Sequence, residues 1–208
     1  MARRSDHSKD QLCSLALDAA ERIVVEGGLQ ALTARKIASL IGYSPGTLYN
    51  LFENLDDLTL RVNARTLDLL DGSLRFDFQS RDVDRDVHSL LRQYLGFLRD
   101  HPHRWAALFD FALPDGTVLP TWYQCKIDCV LDHLDIVLSP LFDEGRSQRS
   151  AQAARTLWAG LHGIYALERS GKLSMVGSDA IEPMATMLVH TFCDGLKYRM
   201  TRSSNGRK

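Results

Sequence analysis

The sequence predicts an all-α chain of about nine helices, three short ones at the N-terminus and longer ones after them. Three observations predict it. Apolar residues recur at three- and four-residue spacing along most of the 208 residues, and only "LRFDF" at 74–78 alternates as a strand would. Clusters of Gly, Pro, Ser and Asn punctuate these periodic runs. Two of the early runs are very short and meet at a single glycine, Gly42.

Taken in order, residues 9–27 repeat Leu12, Leu15, Ala16, Ala19 and Ile23 at helical spacing and close on Gly27-Gly28. Thr33 caps a short helix through Ile41, with Ile37, Ala38 and Ile41 inward. After the Gly42 turn, Ser44 caps again and Pro45 takes the first helical position, where a missing N–H costs nothing. That helix is expected to stop near Phe52. Asn54 then caps a longer one reaching about residue 72, with Asp56 and Asp57 in its positive first turn. Gly72 and "QSRDVDRD" form a break before a helix at 83–100. Pro102 opens the next, which Pro114-Asp115-Gly116 ends. A run over 119–138 stops at Ser139-Pro140, "DEGRSQRS" is a loop, and helices follow at 151–171 and 179–200. Residues 203–208 are expected to be a disordered tail. The expected domains are 1–55, a linking helix from about 54 to 72, and 56–202.

Composition narrows the function classes. Lys and Arg number 25 against 26 Asp and Glu, so neither a polybasic coat nor an acidic tail identifies a partner. Hydrophobic residues make up 45%, enough for a core, yet no window approaches the 18 consecutive apolar residues of a membrane span. No apolar stretch follows the N-terminal arginines, and a cytoplasmic protein with no membrane contact is expected. Four cysteines in this length make no disulfide framework, and reduced thiols are expected. The chain has no phosphate-cradling glycine loop, His-x-x-Glu pair or nucleophile elbow. His101 and His103 flank Pro102 as surface residues. No catalytic residue, metal or cofactor is assigned.

The stretch "IGYSPGTLYNLF" at 41–52 carries the chemistry. Two short helices joined by a tight glycine turn describe a helix-turn-helix, whose second helix enters the DNA major groove. Gly46 permits close approach, and Thr47 offers a hydroxyl and a methyl to base edges. Tyr49 and Asn50 can bond phosphate or base, while Leu48 and Phe52 turn inward. Arg35 and Lys36 supply positive charge at the first helix start, where free N–H groups also attract phosphate. Thr33, Tyr43, Ser44 and Pro45 complete the expected DNA-facing set. Arg3 and Arg4 offer either a DNA-grasping arm or a solvated tail.

Residues 27–62, "GGLQALTARKIASLIGYSPGTLYNLFENLDDLTLRV", closely resemble the DNA-binding domain of TetR/AcrR-type transcriptional regulators. Gly28, Leu32, Thr33, Ile37, Ala38, Gly42, Thr47, Leu48, Tyr49 and Phe52 match that pattern in order. Residues 157–173, "LWAGLHGIYALERSGKL", are similar to the Trp-x-x-x-His-Gly helix of a ligand-binding domain in the same family. The resemblance implies a homodimer on a palindromic double-stranded operator, an all-helical effector domain, and release when a small molecule binds. By position it implies phosphate contacts from Thr33 and Tyr49, and base contacts from Arg35, Ser44 and Thr47. Leu51 and Leu55 depart from it, standing where phosphate-binding His or Tyr and Lys are usual. Through Arg61 the chain also carries one more acidic than basic side chain. A helical interaction protein with a degenerate DNA-binding head is the alternative.

Farther along, Trp105, Phe109, Trp122, Tyr123, Trp158, His162 and Tyr165 mix aromatic surface with a few polar groups, as an apolar effector site does. The last two long helices carry apolar stripes. The resemblance implies that Leu157, Leu161, Ile164, Met184, Leu188 and Phe192 build a dimer interface, although in a monomer such stripes face the core. Cys125, Cys129 and His133 share a helix face, but i and i+8 stand about 12 Å apart along the axis. Buried small hydrophobes are therefore preferred to a metal or redox sensor for the two thiols.

Overall fold

The computed structural model describes residues 7–75, 82–142, 145, 147–177 and 180–205, with side chains described through Arg199. Its α-helices are α1 (Lys9–Gly27), α2 (Ala34–Ile41), α3 (Pro45–Leu48), α4 (Leu55–Ser73), α5 (Val83–Asp100), α6 (Pro102–Asp110), α7 (Thr121–Leu138), α8 (Gln148–Arg169) and α9 (Ile181–Asn205). Single 3-10 turns occupy Leu29–Ala31, Ser139–Leu141 and Leu173–Val176. There is no strand among the described residues. Leu74 and Arg75 have no regular structure, and the rest of "LRFDF" lies outside the described residues, as do Arg3 and Arg4.

Capping explains most boundaries. Ser8 and Gln11 form a reciprocal box at the start of α1, with Gln11 N donating to Ser8 Oγ at 3.2 Å and Ser8 N donating to Gln11 Oε1 at 2.8 Å. Ser147 and Ser150 do the same for α8, which therefore starts at Gln148 rather than 151. Gly42 ends α2 in the left-handed region at φ 76°. Two expectations need correction. The recognition segment is helical only through Leu48, and backbone turns from Thr47 O and Leu48 O carry the chain to Phe52. The last helix runs to Asn205, because 201–205 contain neither Gly nor Pro and the first breaker is Gly206.

The chain forms two compact units. One takes residues up to Leu69 together with Leu98–Lys126. The other takes Leu70–Phe97 and everything from Ile127 onward. The first is larger than the expected domain 1–55 because α6 packs into the same core. Ala16, Ala20, Ile23 and Val24 of α1 meet Ile37 and Ala38 of α2, Leu48, Phe52, and Leu58 and Val62 of α4, with Ala107 of α6 closing the cluster. Fully burying side chains of this size contributes about 1.5–3 kcal/mol each. Asn63 Nδ2 donates to Ala107 O at 3.2 Å, fixing α6 on α4. In the second unit α8 packs along α9. The crossing is close at Gly160, where a Cβ would stand 2.8 Å from Leu188 Cδ2.

Candidate nucleic-acid interface and effector cavity

The first unit presents the polar edge that the sequence predicts. Thr33, Arg35, Lys36, Ser44, Pro45, Gly46, Tyr49 and Asn50 are exposed, and Tyr43 and Thr47 are half-buried. Beneath them Leu48 and Phe52 are buried, 3% and 5% exposed. Alternation of inward anchors with outward polar groups thus holds across a segment too short to need both. Thr33 Oγ1 accepts from Lys36 N at 3.2 Å, which leaves its hydroxyl proton free to donate. Ser44 occupies the cap position of α3 without capping a backbone N–H. Its hydroxyl instead pairs with that of Thr47 at 3.1 Å, so two expected base-reading groups are held together. The Tyr43 hydroxyl meets His7 Nδ1 at 3.0 Å, a contact between residues 36 apart that leaves no local signal in the sequence.

Within the acidic stretch after the head, the Asp57 carboxylate is engaged locally. Asn54 Oδ1 caps α4 through Asp57 N at 2.8 Å, and Asp57 Oδ2 accepts from Glu53 N at 3.2 Å. Arg61 Nε donates to Asp57 Oδ1 at 2.8 Å, so one of the two first-turn carboxylates has a cation beside it. Leu51 and Leu55, which depart from the family pattern, are both half-buried against the head core. They pack where the resemblance implies a phosphate-binding side chain.

The aromatic set divides between the units. Trp105 is 1% exposed and tilts against the exposed Phe109 at 4.8 Å in the first unit. There Trp122 is exposed, meets Tyr123 edge-on at 5.6 Å, and takes the Arg61 guanidinium over its face at 5.8 Å. Burial pushes the Tyr123 hydroxyl up to about 12, so it stays protonated. Trp158, His162 and Tyr165 belong to the second unit. Trp158 stacks on His162 at 5.5 Å and 9°, and burial lowers the His162 ring from its ordinary value, favouring the neutral form.

The second unit holds an apolar cavity of about 50 Å³. Of the seven expected ligand residues, Trp158 lines it. The other walls are mostly aliphatic: Val87, Leu90 and Leu91 of α5, with the aromatic Tyr94 on the same helix, face Leu131 of α7 and Leu161 of α8. His133 adds a polar edge, its Nε2 lying 2.7 Å from Asp71 Oδ1. Burial strongly raises the Tyr94 hydroxyl, which therefore stays neutral. The α5 wall is an i, i+3, i+4, i+7 stripe in the sequence, but such a stripe marks any packed helix and does not single out a cavity.

The expected dimer residues also separate. Leu157, Leu161 and Ile164 are buried in the chain's own core, and the first two line the cavity. Met184, Leu188 and Phe192 remain half-buried, while Met187 and Tyr198 of α9 are 67% and 62% exposed. Cys125 and Cys129 are exposed, not buried hydrophobes, because they lie on the outer side of α7; Cys193 is buried and Cys13 half-buried. His133 bonds Asp71 rather than joining the two thiols. Among the described residues no group of three or more His, Cys, Asp or Glu could hold a metal ion, and no helix is long and apolar enough to cross a membrane.

These features match known proteins over almost the whole chain. Residues 16–62 match the family described as bacterial regulatory proteins, tetR family, and residues 87–192 match the tetracyclin repressor-like C-terminal domain. A helix-turn-helix-type transcriptional regulator of Mycobacterium tuberculosis is 25% identical over 201 residues, covering 97% of this chain and 87% of that one. Among solved structures, a protein of unknown function from Rhodococcus sp. RHA1 has a TM-score of 0.67 at 17% identity, over 94% of this chain and all of that one. A TetR transcriptional regulator from the same organism reaches 0.61 at 20% identity, over 91% and 97%. The fatty acid degradation regulator FadR of Bacillus halodurans reaches 0.59 at 16% identity, over 88% and 98%. At these identities the solved structures speak for the fold, and the two matched domains carry the assignment. The chain belongs to the TetR family of bacterial transcription regulators, DNA-binding proteins rather than enzymes.

Proposed function

We propose that this regulator is a cytoplasmic homodimer that represses transcription from a palindromic operator and releases it when a small, largely apolar effector enters the cavity of the second unit. One observation carries the DNA-binding part. Ser44, Pro45, Gly46, Tyr49 and Asn50 form an exposed edge directly above the buried Leu48 and Phe52. Exposed Arg35 and Lys36 add charge for phosphate. The effector reading rests on the cavity, whose mostly aliphatic walls and few polar groups, at His133 and Tyr94, favour a largely apolar ligand. The dimer reading rests on α9, where Met187 and Tyr198 are exposed beside half-buried Met184, Leu188 and Phe192. A twofold partner is also what reading two half-sites one helical turn apart requires.

The test is binding of the full chain to DNA from its own promoter region, followed by anisotropy at several salt concentrations. Affinity should fall steeply with salt, and Thr47→Ala and Arg35→Ala should weaken it. Leu188→Glu should abolish specific binding and leave a monomer in sedimentation with its helicity intact. Salt-independent association unaffected by Thr47→Ala would instead support the interaction protein with a degenerate head. A Leu188→Glu variant that stays dimeric would move the interface elsewhere.

A further inference from the structure

We propose that His88 of α5 and His190 of α9 form a two-imidazole site for a nitrogen-preferring divalent transition ion, such as Ni²⁺, Cu²⁺ or Zn²⁺. Their Nε2 atoms stand 3.0 Å apart. Two imidazole nitrogens bound to one tetrahedral ion at about 2.0–2.1 Å lie roughly 3.3 Å apart, so a shift of a few tenths of an ångström admits the ion. The ring centroids are only 4.4 Å apart, closer than two rings meeting head-on across that contact, so the pair is bent rather than collinear.

Protonation favours the same reading. His88 Nδ1 lies 2.8 Å from the Asp84 carbonyl oxygen. A carbonyl only accepts, so Nδ1 carries the hydrogen and the neutral ring presents a bare Nε2 lone pair toward His190. A backbone carbonyl orienting the far nitrogen is the usual outer support of a metal-binding histidine. Without metal, His190 Nε2–H donates to His88. Binding through both Nε2 atoms requires the His190 proton to sit on Nδ1 instead.

Nearby groups leave room for a cation. The Lys197 ammonium is held by the Asp84 carboxylate and lies 3.7 Å from Asp194, so these three groups together retain one negative charge. Because no third His, Cys, Asp or Glu joins the pair among the described residues, water must complete the shell and the ion must exchange. Val87 and Val189, the residues preceding the two histidines, both line the cavity. An ion here therefore pins two helices that form its wall.

The experiment uses chelator-stripped full chain in a Cys125→Ser, Cys129→Ser background, titrated with Ni²⁺ by calorimetry and with Mg²⁺ as control. One Ni²⁺ per chain is expected, with at least tenfold weaker binding in both His88→Gln and His190→Gln. Pulsed EPR of the Cu²⁺ form should show two equivalent imidazoles, and circular dichroism checks that each variant folds. Nickel binding unchanged in either histidine variant, lost with the exposed cysteines, or matched by Mg²⁺ would overturn the site.

Discussion

Glu21→Gln is the substitution whose effect follows most directly from the geometry. The Glu21 carboxylate receives Arg104 Nη1 at 2.6 Å and Arg65 Nη1 at 2.8 Å, and Arg65 also reaches Asp18 at 2.6 Å. It thereby ties α1 to α4 and α6 inside the unit that carries the exposed edge of Ser44, Tyr49 and Asn50. Exposed ion pairs contribute at most about 1 kcal/mol, whereas removing one partner of a buried pair costs about 3–5 kcal/mol. The Glu21 and Arg104 side chains are 23% and 17% exposed, between those limits. Loss of two charge-assisted bonds should cost about 2 kcal/mol, or roughly 4–8 °C in Tm for a chain of this size. Burial alone raises the Glu21 carboxyl, but hydrogen bonds and charge from Arg65 and Arg104 outweigh it and hold the group below its ordinary 4.5. A depressed folded value means the stabilisation is complete above that ordinary value and is lost as pH falls through the folded one. Thermal unfolding by circular dichroism should therefore show the full gap between parent and variant at pH 7 and a shrinking gap once pH falls well below the ordinary 4.5. A gap under about 1 °C at pH 7, or one that persists undiminished in acid, would refute the assignment.

Gly42→Ala places a side chain at φ 76°, costing about 1–2 kcal/mol, and should lower both Tm and operator affinity by disturbing the turn between α2 and α3. Leu55→Lys should raise affinity for all DNA sequences and steepen the log–log salt slope by about one unit, since its alkyl stem can keep covering the core while the ammonium reaches phosphate. An unchanged slope places residue 55 away from DNA. Leu161→Ala, on the cavity wall, should cost about 2–5 kcal/mol and open space in advance. Benzene or indole should then raise the variant's Tm while leaving the parent unmoved, and the opposite pattern would place the effector elsewhere.

The head was legible because local chemistry and packing agree there. Thr33, Gly42, Ser44-Pro45 and Asn54 announce boundaries, and Ile37, Ala38, Leu48 and Phe52 satisfy both the helical period and the core. Its finer geometry was less visible. A cap residue does not reveal whether its hydroxyl takes a backbone N–H or, as with Ser44, a neighbour's hydroxyl. Leu51 and Leu55 read as missing phosphate ligands because a pattern records what relatives use, not what fills the space instead. The cavity was harder to see, since aliphatic walls on α5, α7 and α8 carry the same spacing as ordinary core. Nothing in the sequence tells Leu161, on a wall, from Leu70, fully buried. The His88–His190 pair joins residues 102 apart and leaves no local trace.

The size of the cavity constrains how an effector could act. About 50 Å³ is roughly a third of the 150 Å³ or so of an apolar cavity that holds benzene, so a benzene-sized ligand must push the walls apart. The described form is then the one such a ligand disfavours, and its affinity is reduced by the free energy of widening. To drive the protein from 99% closed to 99% open, the ligand must bind the open form about 10⁴-fold more tightly. Leu74 lies on the wall one residue beyond α4, and α4 supplies residues to both units, through Leu69 to the one with the proposed DNA-reading edge and from Leu70 to the one with the cavity. A displacement of Leu74 therefore acts on a continuous helix anchored in the head core by Leu58 and Val62. A two-proline insertion after Leu69 would break that helix. It should leave DNA binding and ligand binding each measurable while abolishing their coupling, and coupling that survives would require a path through α5 or α7 instead.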